Sequence, residues 1–210
     1  MASEKTQPPE QGTAPSASVK VDGGMSVANF LVWEPADDLR YQLIDGVPVT
    51  MALADPTHAT MRSRLANLLM MHLDAADSSC TALAEAGVCL TAGTSANVRI
   101  PDLLVTCSPL TEAEGSLIAD PVLMIEILSP DNAVETWTSV WAYTTLASVQ
   151  EILVLQTDAI AAHLLRRKED GSWPPAPTPL GMDLELQSIG FAAPLLSAYR
   201  NTWLARQGDP

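Results

Sequence analysis

Two short apolar stretches each carry one carboxylate: Asp102 in VRIPDLLVTCSP, residues 98–109, and Glu126 in LMIEILSP, residues 123–130. A lone ionised acid inside a buried strand costs on the order of several kcal/mol unless it is paired or bound to a cation. Two acids on neighbouring strands raise each other's pKa unless a hard divalent ion lies between them. Metal-assisted phosphodiester hydrolysis needs that arrangement. Two carboxylates, a backbone carbonyl and waters hold Mg²⁺, which lowers the pKa of a water and neutralises charge on the phosphorane. Structural roles remain open for the same residues. An aspartate after proline caps backbone amides at strand starts, and Glu126 can pair with Arg99 or Arg40.

The surrounding pattern places these acids in a mixed α/β chain. Val27, Phe30 and Leu31 after Ser26 predict a short capped helix that Pro35 ends. LRYQLIDGVPVTMAL alternates apolar and polar residues about Asp45-Gly46, which predicts a hairpin with strands over 39–44 and 47–53. From His58 to Ala76 the residues Met61, Leu65, Leu68, Leu69, His72 and Leu73 recur at helical spacing, so this is the longest helix. Apolar runs at 81–90, 97–107 and 121–128 predict strands, and Trp137, Val140, Trp141 and Thr144 share one helical face. A second hairpin is expected over 151–156 and 160–167, then a proline-rich loop, a strand near 183–188 and a helix near 194–204. The order implies a mixed sheet flanked by helices.

Composition narrows the function. With 210 residues and 47% hydrophobic content, the chain supports a single domain with a sizeable core. Twenty-five acidic against eleven basic residues give a net charge of −14, which argues against avid, non-specific DNA binding and leaves a local patch or a metal to hold a nucleic acid. Cys80, Cys89 and Cys107 lack CxxC spacing and are expected to be reduced and mostly buried, as in a cytoplasmic protein. No apolar run is long enough for a membrane span. Residues 1–24, rich in Pro, Ser, Gly and Ala, are expected to be a disordered tail before one domain over 25–205, with 206–210 a short C-terminal tail.

The stretches YQLIDGVPVTMALADPTHATMRSRLANLL, NVRIPDLLVTC, DPVLMIEILSP, WAY and SVQEILVLQTD, in that order, resemble the Uma2 family, also called DUF820, over roughly Met25 to Trp203. The resemblance implies a restriction-endonuclease-like PD-(D/E)xK fold, a mixed β-sheet core flanked by helices with β-hairpins. It also implies one Mg²⁺ or Mn²⁺ ion, DNA as the partner and a homodimer. By that resemblance Asp102 and Glu126 are metal ligands and the Ile127 carbonyl a third. His58 stands at the position that opens the family's long helix, where it either touches a phosphate or caps the helix.

Two positions depart from the family pattern. Gln42 stands where an acid is expected and brings no charge to a metal. Ser139 stands where the family carries a lysine, and no lysine or arginine lies between Arg99 and Arg166. A cation there orients the attacking water and stabilises developing charge, an effect worth about 3–4 kcal/mol. The alternative expectation is a non-catalytic interaction or scaffold protein that keeps the nuclease fold. Trp137 and Trp141 are either a base-stacking surface or sheet packing, Arg166-Arg167-Lys168 is the main basic cluster, and Met70-Met71 are core or dimer-contact residues.

Overall fold

The computed structural model describes residues 24–90, 96–110 and 117–207. Apart from Gly24, the expected N-terminal tail lies outside the described residues. Helix α1 (Val27–Leu31) starts at Ser26, whose hydroxyl accepts from the Asn29 amide at 3.1 Å. The hairpin follows as β1 (Tyr41–Ile44) and β2 (Val47–Thr50). Its turn residues Asp45 and Gly46 take φ of 49° and 78°, the left-handed pair that a two-residue turn needs.

Helix α2 (Pro56–Ala75) begins two residues before the expected start, because Asp55 is the cap and accepts from the Thr57 and His58 amides at 2.7 and 3.0 Å. Proline at the first position gives up no intrahelical bond. Met61, Leu65, Leu69 and Leu73, spaced one turn apart, form its buried stripe.

Each of the two apolar runs around the first carboxylate breaks into two strands of different sheets. Residues 81–90 give β3 (Thr81–Ala84) and β4 (Gly87–Leu90), and the next run gives β5 (Asn97–Arg99) and β6 (Leu103–Thr106). The first corner is Glu85, at φ 53°, and the second contains Pro101, which has no amide to give a ladder. The corners lie side by side, with the Glu85 amide donating to the Asp102 carbonyl at 3.1 Å. Then come β7 (Leu117–Ile118), β8 (Pro121–Leu128), α3 (Ala133–Tyr143), β9 (Glu151–Gln156), β10 (Ala162–Arg166), β11 (Thr178–Pro179), β12 (Asp183–Leu186), β13 (Phe191–Pro194), α4 (Leu196–Tyr199) and α5 (Trp203–Gln207).

The strands form a six-stranded sheet ordered β11-β10-β9-β8-β6-β3, a five-stranded sheet ordered β2-β1-β5-β4-β7, and a β12-β13 ribbon. Strands β8 and β9 run parallel, which requires a crossover, and α3 supplies it. Both faces of β8 are covered, so its sequence is nearly continuous apolar. Leu123, Ile125 and Ile127 pack with the α2 stripe, whereas Met124 and Leu128 pack with Val140 and Tyr143 of α3. Glu126 has the α3-facing parity.

Three expectations need correction. Cys80 and Cys107 form a disulfide, while Cys89 is free. The antiparallel register Thr81↔Thr106 brings the two cysteines opposite each other one step beyond the paired residues, a proximity their 27-residue separation conceals. The helix expected near 194–204 is instead the end of β13 and two short helices, because Arg200 is extended and Asn201 takes φ 70°. The second hairpin is shorter than expected, with residues 158–160 bending before β10.

Candidate active site

Asp102 occupies the corner between β5 and β6, at the end of β6 that lies beside Glu126 on β8. The pairing Leu103↔Ile125 sets this register. The Asp102 carboxylate accepts from the Ile127 amide through Oδ2 at 2.8 Å and meets His58 Nε2 through Oδ1 at 2.6 Å. One turn along α2 from His58, Arg62 reaches Asp102 Oδ1 at 3.5 Å and Glu85 Oε1 at 2.6 Å. Arg40 also holds Glu85 Oε1 at 2.6 Å. The Asp102 side chain is 11% exposed and those of Arg62 and Glu85 are 22% and 29%, so the site opens along the Arg62–Glu85 side.

Glu126 takes a hydrogen bond from the buried Tyr143 hydroxyl, which donates to Oε1 at 2.6 Å. Burial holds the Glu126 carboxyl well above its ordinary range, and the Asp102 charge pushes it further, while the Tyr143 bond pulls the other way. Burial likewise raises the Tyr143 phenol, with Glu126 adding to it.

Ser139 lies one turn before Tyr143 on the same buried face of α3, and its hydroxyl accepts from Arg99 Nη1 at 3.3 Å. Arg99, on β5, is only 4% exposed. Burial lowers its guanidinium from the ordinary value, and Tyr143, Asp45 and Glu126 act against that lowering.

The backbone at Ile127 faces the same site. Leu128 accepts from the Thr157 amide at 3.0 Å and so points its carbonyl toward β9. Backbone groups alternate sides along a strand, so the Ile127 carbonyl points with its amide toward the β6 edge, where Asp102 sits.

Not every expected residue joins this group. Gln42 is half-buried on β1 in the five-stranded sheet and, among the described residues, makes no hydrogen bond to Asp102 or Glu126. His58 does not cap α2, since Asp55 does, and its ring is instead committed to Asp102. Arg40 is not the partner of Glu126, because Glu85 takes it. Trp137 packs against the α3-side core, whereas Trp141 is 39% exposed. Met70 and Met71 are exposed rather than core. Arg166 pairs with Glu151 at 2.6 Å, and Arg167 lies over Trp173 at 5.5 Å, so the basic cluster is tied into local structure.

Tyr143, Glu85 and Arg62 are the members that sequence reasoning missed, while Arg99, expected as a possible partner of Glu126, has its hydrogen bond to Ser139 instead. Only Tyr143 left a signal. A tyrosine on a buried helical face needs a partner for its hydroxyl, and an acid on the facing strand is such a partner.

The model of the Uma2 family, described as "Putative restriction endonuclease", matches residues 27–195. The chain belongs to the Uma2 family. An uncharacterized protein of Synechocystis sp., slr1290, is 25% identical over 177 residues, spanning 84% of this chain and 92% of that protein. A crystal structure from Anabaena variabilis, described as a putative nuclease belonging to DUF820, superposes with a TM-score of 0.67 at 15% identity. The match covers 83% of this chain and 97% of that one, and at this identity it speaks for the fold alone. The Uma2 match spans every residue of the carboxylate site, from Arg40 to Tyr143.

Proposed function

We propose that this Uma2 chain is a divalent-metal-dependent DNA endonuclease whose ion is held by Asp102, Glu126 and the Ile127 carbonyl. The observation that carries the reading is the meeting of two carboxyls at one sheet end. There the Asp102 charge lifts Glu126, and a dication would relieve that conflict. The donors are all hard oxygens. Among the described residues no three His, Cys, Asp or Glu side chains stand together as a metal cluster, so the remaining positions fall to backbone oxygen and water. Mg²⁺ suits such a site because it retains several waters, and Mn²⁺ accepts the same ligands.

A bound ion would supply Lewis acidity toward the phosphate and lower the pKa of a water. The chain's own residues do the rest. The Ile127 amide fixes one oxygen of Asp102 and leaves lone pairs free, His58 holds the other oxygen, and Tyr143 orients Glu126. Two copies would let both strands be cut in one encounter, so the working form we propose is a homodimer.

The test is cleavage of plasmid DNA in Mg²⁺ or Mn²⁺ by the wild type and by Asp102→Ala. The reading expects the variant to lose at least about 10²-fold in rate, the scale of removing one electrostatic contributor. Equal rates sink it. One observation favours a non-catalytic reading: α3 carries the neutral Ser139 where the family resemblance implies a lysine. In that case calorimetric titration with Mn²⁺ would show neither binding nor a thermal shift.

A further inference from the structure

The buried face of α3 holds an acceptor and a donor one turn apart. Ser139 accepts from the Arg99 guanidinium at 3.3 Å, and Tyr143 donates to Glu126 at 2.6 Å. Residues four apart on a helix lie about 5–6 Å from each other, so the guanidinium and the Glu126 carboxyl are neighbours across the same helix face. Arg99 Nε is buried and has no hydrogen-bond partner. The side chain also borders a cavity of about 230 Å³ lined by Asp45, Asn97, Thr138 and Ala142 among others.

A buried guanidinium with a spare donor, 4% exposed and meeting only a neutral serine on the helix, is costly as a structural device. Leu or Met would fill that space with less desolvation. Arg62, the other cation at the site, is held between Glu85 at 2.6 Å and Asp102 at 3.5 Å, on the side away from α3.

We propose that Arg99 is the positive charge of the active site, delivered from β5 to the point on α3 where Ser139 carries none. It acts through space, as a positioning residue for Glu126 and as the countercharge for negative charge that develops on the phosphate. This rests on the nuclease reading above.

Three variants test it: Arg99→Met, Arg99→Lys, and Arg99→Met combined with Ser139→Lys. Plasmid cleavage in Mn²⁺ is one readout, and Mn²⁺ affinity by calorimetry without DNA is the other. Arg99→Met should lose about 10²- to 10³-fold in rate. Its Mn²⁺ affinity should rise roughly tenfold, since a like charge beside the Glu126 carboxylate that would hold the ion has gone. A structural arginine would not produce opposite movements of the two readouts. Arg99→Lys should stay within about tenfold of the wild-type rate, and adding Ser139→Lys to Arg99→Met should recover at least about tenfold, by returning the charge to α3.

Wild-type cleavage by Arg99→Met overturns the proposal and leaves the nuclease reading standing. So does a joint loss of rate and metal affinity that Ser139→Lys does not recover. A wild type that cuts no DNA overturns both. If Arg99→Met fails to fold, Ser139→Asp decides: it neutralises Arg99 without removing it. The rate should then fall at least about tenfold, and an unchanged rate would end the proposal.

Discussion

Glu126 binds its proton more tightly in the folded chain than in the unfolded one, because burial and the Asp102 charge both disfavour the anion. The consequence for stability follows from linkage. A folded value above the ordinary 4.5 means that the Glu126 contribution is fully present below 4.5 and is lost as pH rises through the folded value. Chelator-treated wild type should therefore lose melting temperature across that window relative to Glu126→Gln, and at neutral pH the variant should be the more stable of the two. Scanning calorimetry against pH reads the difference directly. Mn²⁺ should reverse the order, stabilising the wild type and leaving Glu126→Gln nearly unmoved, since only the ionised pair offers the ion a strong site. A metal-free difference that does not change with pH would show that Glu126 titrates in the ordinary range.

At the scale of elements, what could be read from the sequence was whatever repeats locally. The α2 stripe of Met61, Leu65, Leu69 and Leu73 follows helical spacing, and Asp45-Gly46 specifies its own turn. Asp102 and Glu126 stood out because each is an acid in an apolar run, and the fold does bring them to one end of the β6–β8 pair. Long-range register was not legible. Nothing local in residues 81–90 says that Glu85 turns the chain from one sheet to the other, or that Arg40 and Arg62 converge on it from β1 and α2. Arg99 was a possible partner of Glu126 in the sequence, and the fold buries it with its hydrogen bond to Ser139 of α3. The Cys80–Cys107 link escaped for the same reason, since only the β3–β6 register reveals it. That link clips β3, the edge strand, to the sheet. Closing a loop of 27 residues restricts the unfolded chain, so replacing both cysteines by serine should cost about 2–4 kcal/mol of unfolding free energy. Urea denaturation of the oxidised wild type and the double variant measures it, and coincident curves would mean that the link adds nothing. The corner at Asp102 is held by its own hydrogen bonds, so the variant should keep its Mn²⁺ affinity.

On the scale of the whole molecule, a net charge of −14, from twenty-five acidic against eleven basic residues, repels a polyanion. Arg40 and Arg62 are paired with Glu85, and Arg166 with Glu151. Duplex affinity in most proteins comes from releasing counterions with free Lys and Arg, and it falls steeply as salt rises. Here that source is small. The divalent ion would have to act as the bridge between carboxylates and phosphate, so binding and catalysis should share one requirement. The expected result is that EDTA abolishes duplex binding as well as cleavage. Ca²⁺, a hard ion with the same taste for oxygen, should restore binding. Fluorescence anisotropy of a labelled duplex gives the first readout, and repeating it across salt concentrations gives the second. With Ca²⁺ present, the slope of log affinity against log salt should correspond to only one or two phosphate contacts, well short of the roughly six to ten that basic DNA-binding proteins make. Tight binding in EDTA with a steep salt slope would mean that a basic surface outside the site carries the interaction, and the ion bridge would then be the wrong account of how this acidic chain meets DNA.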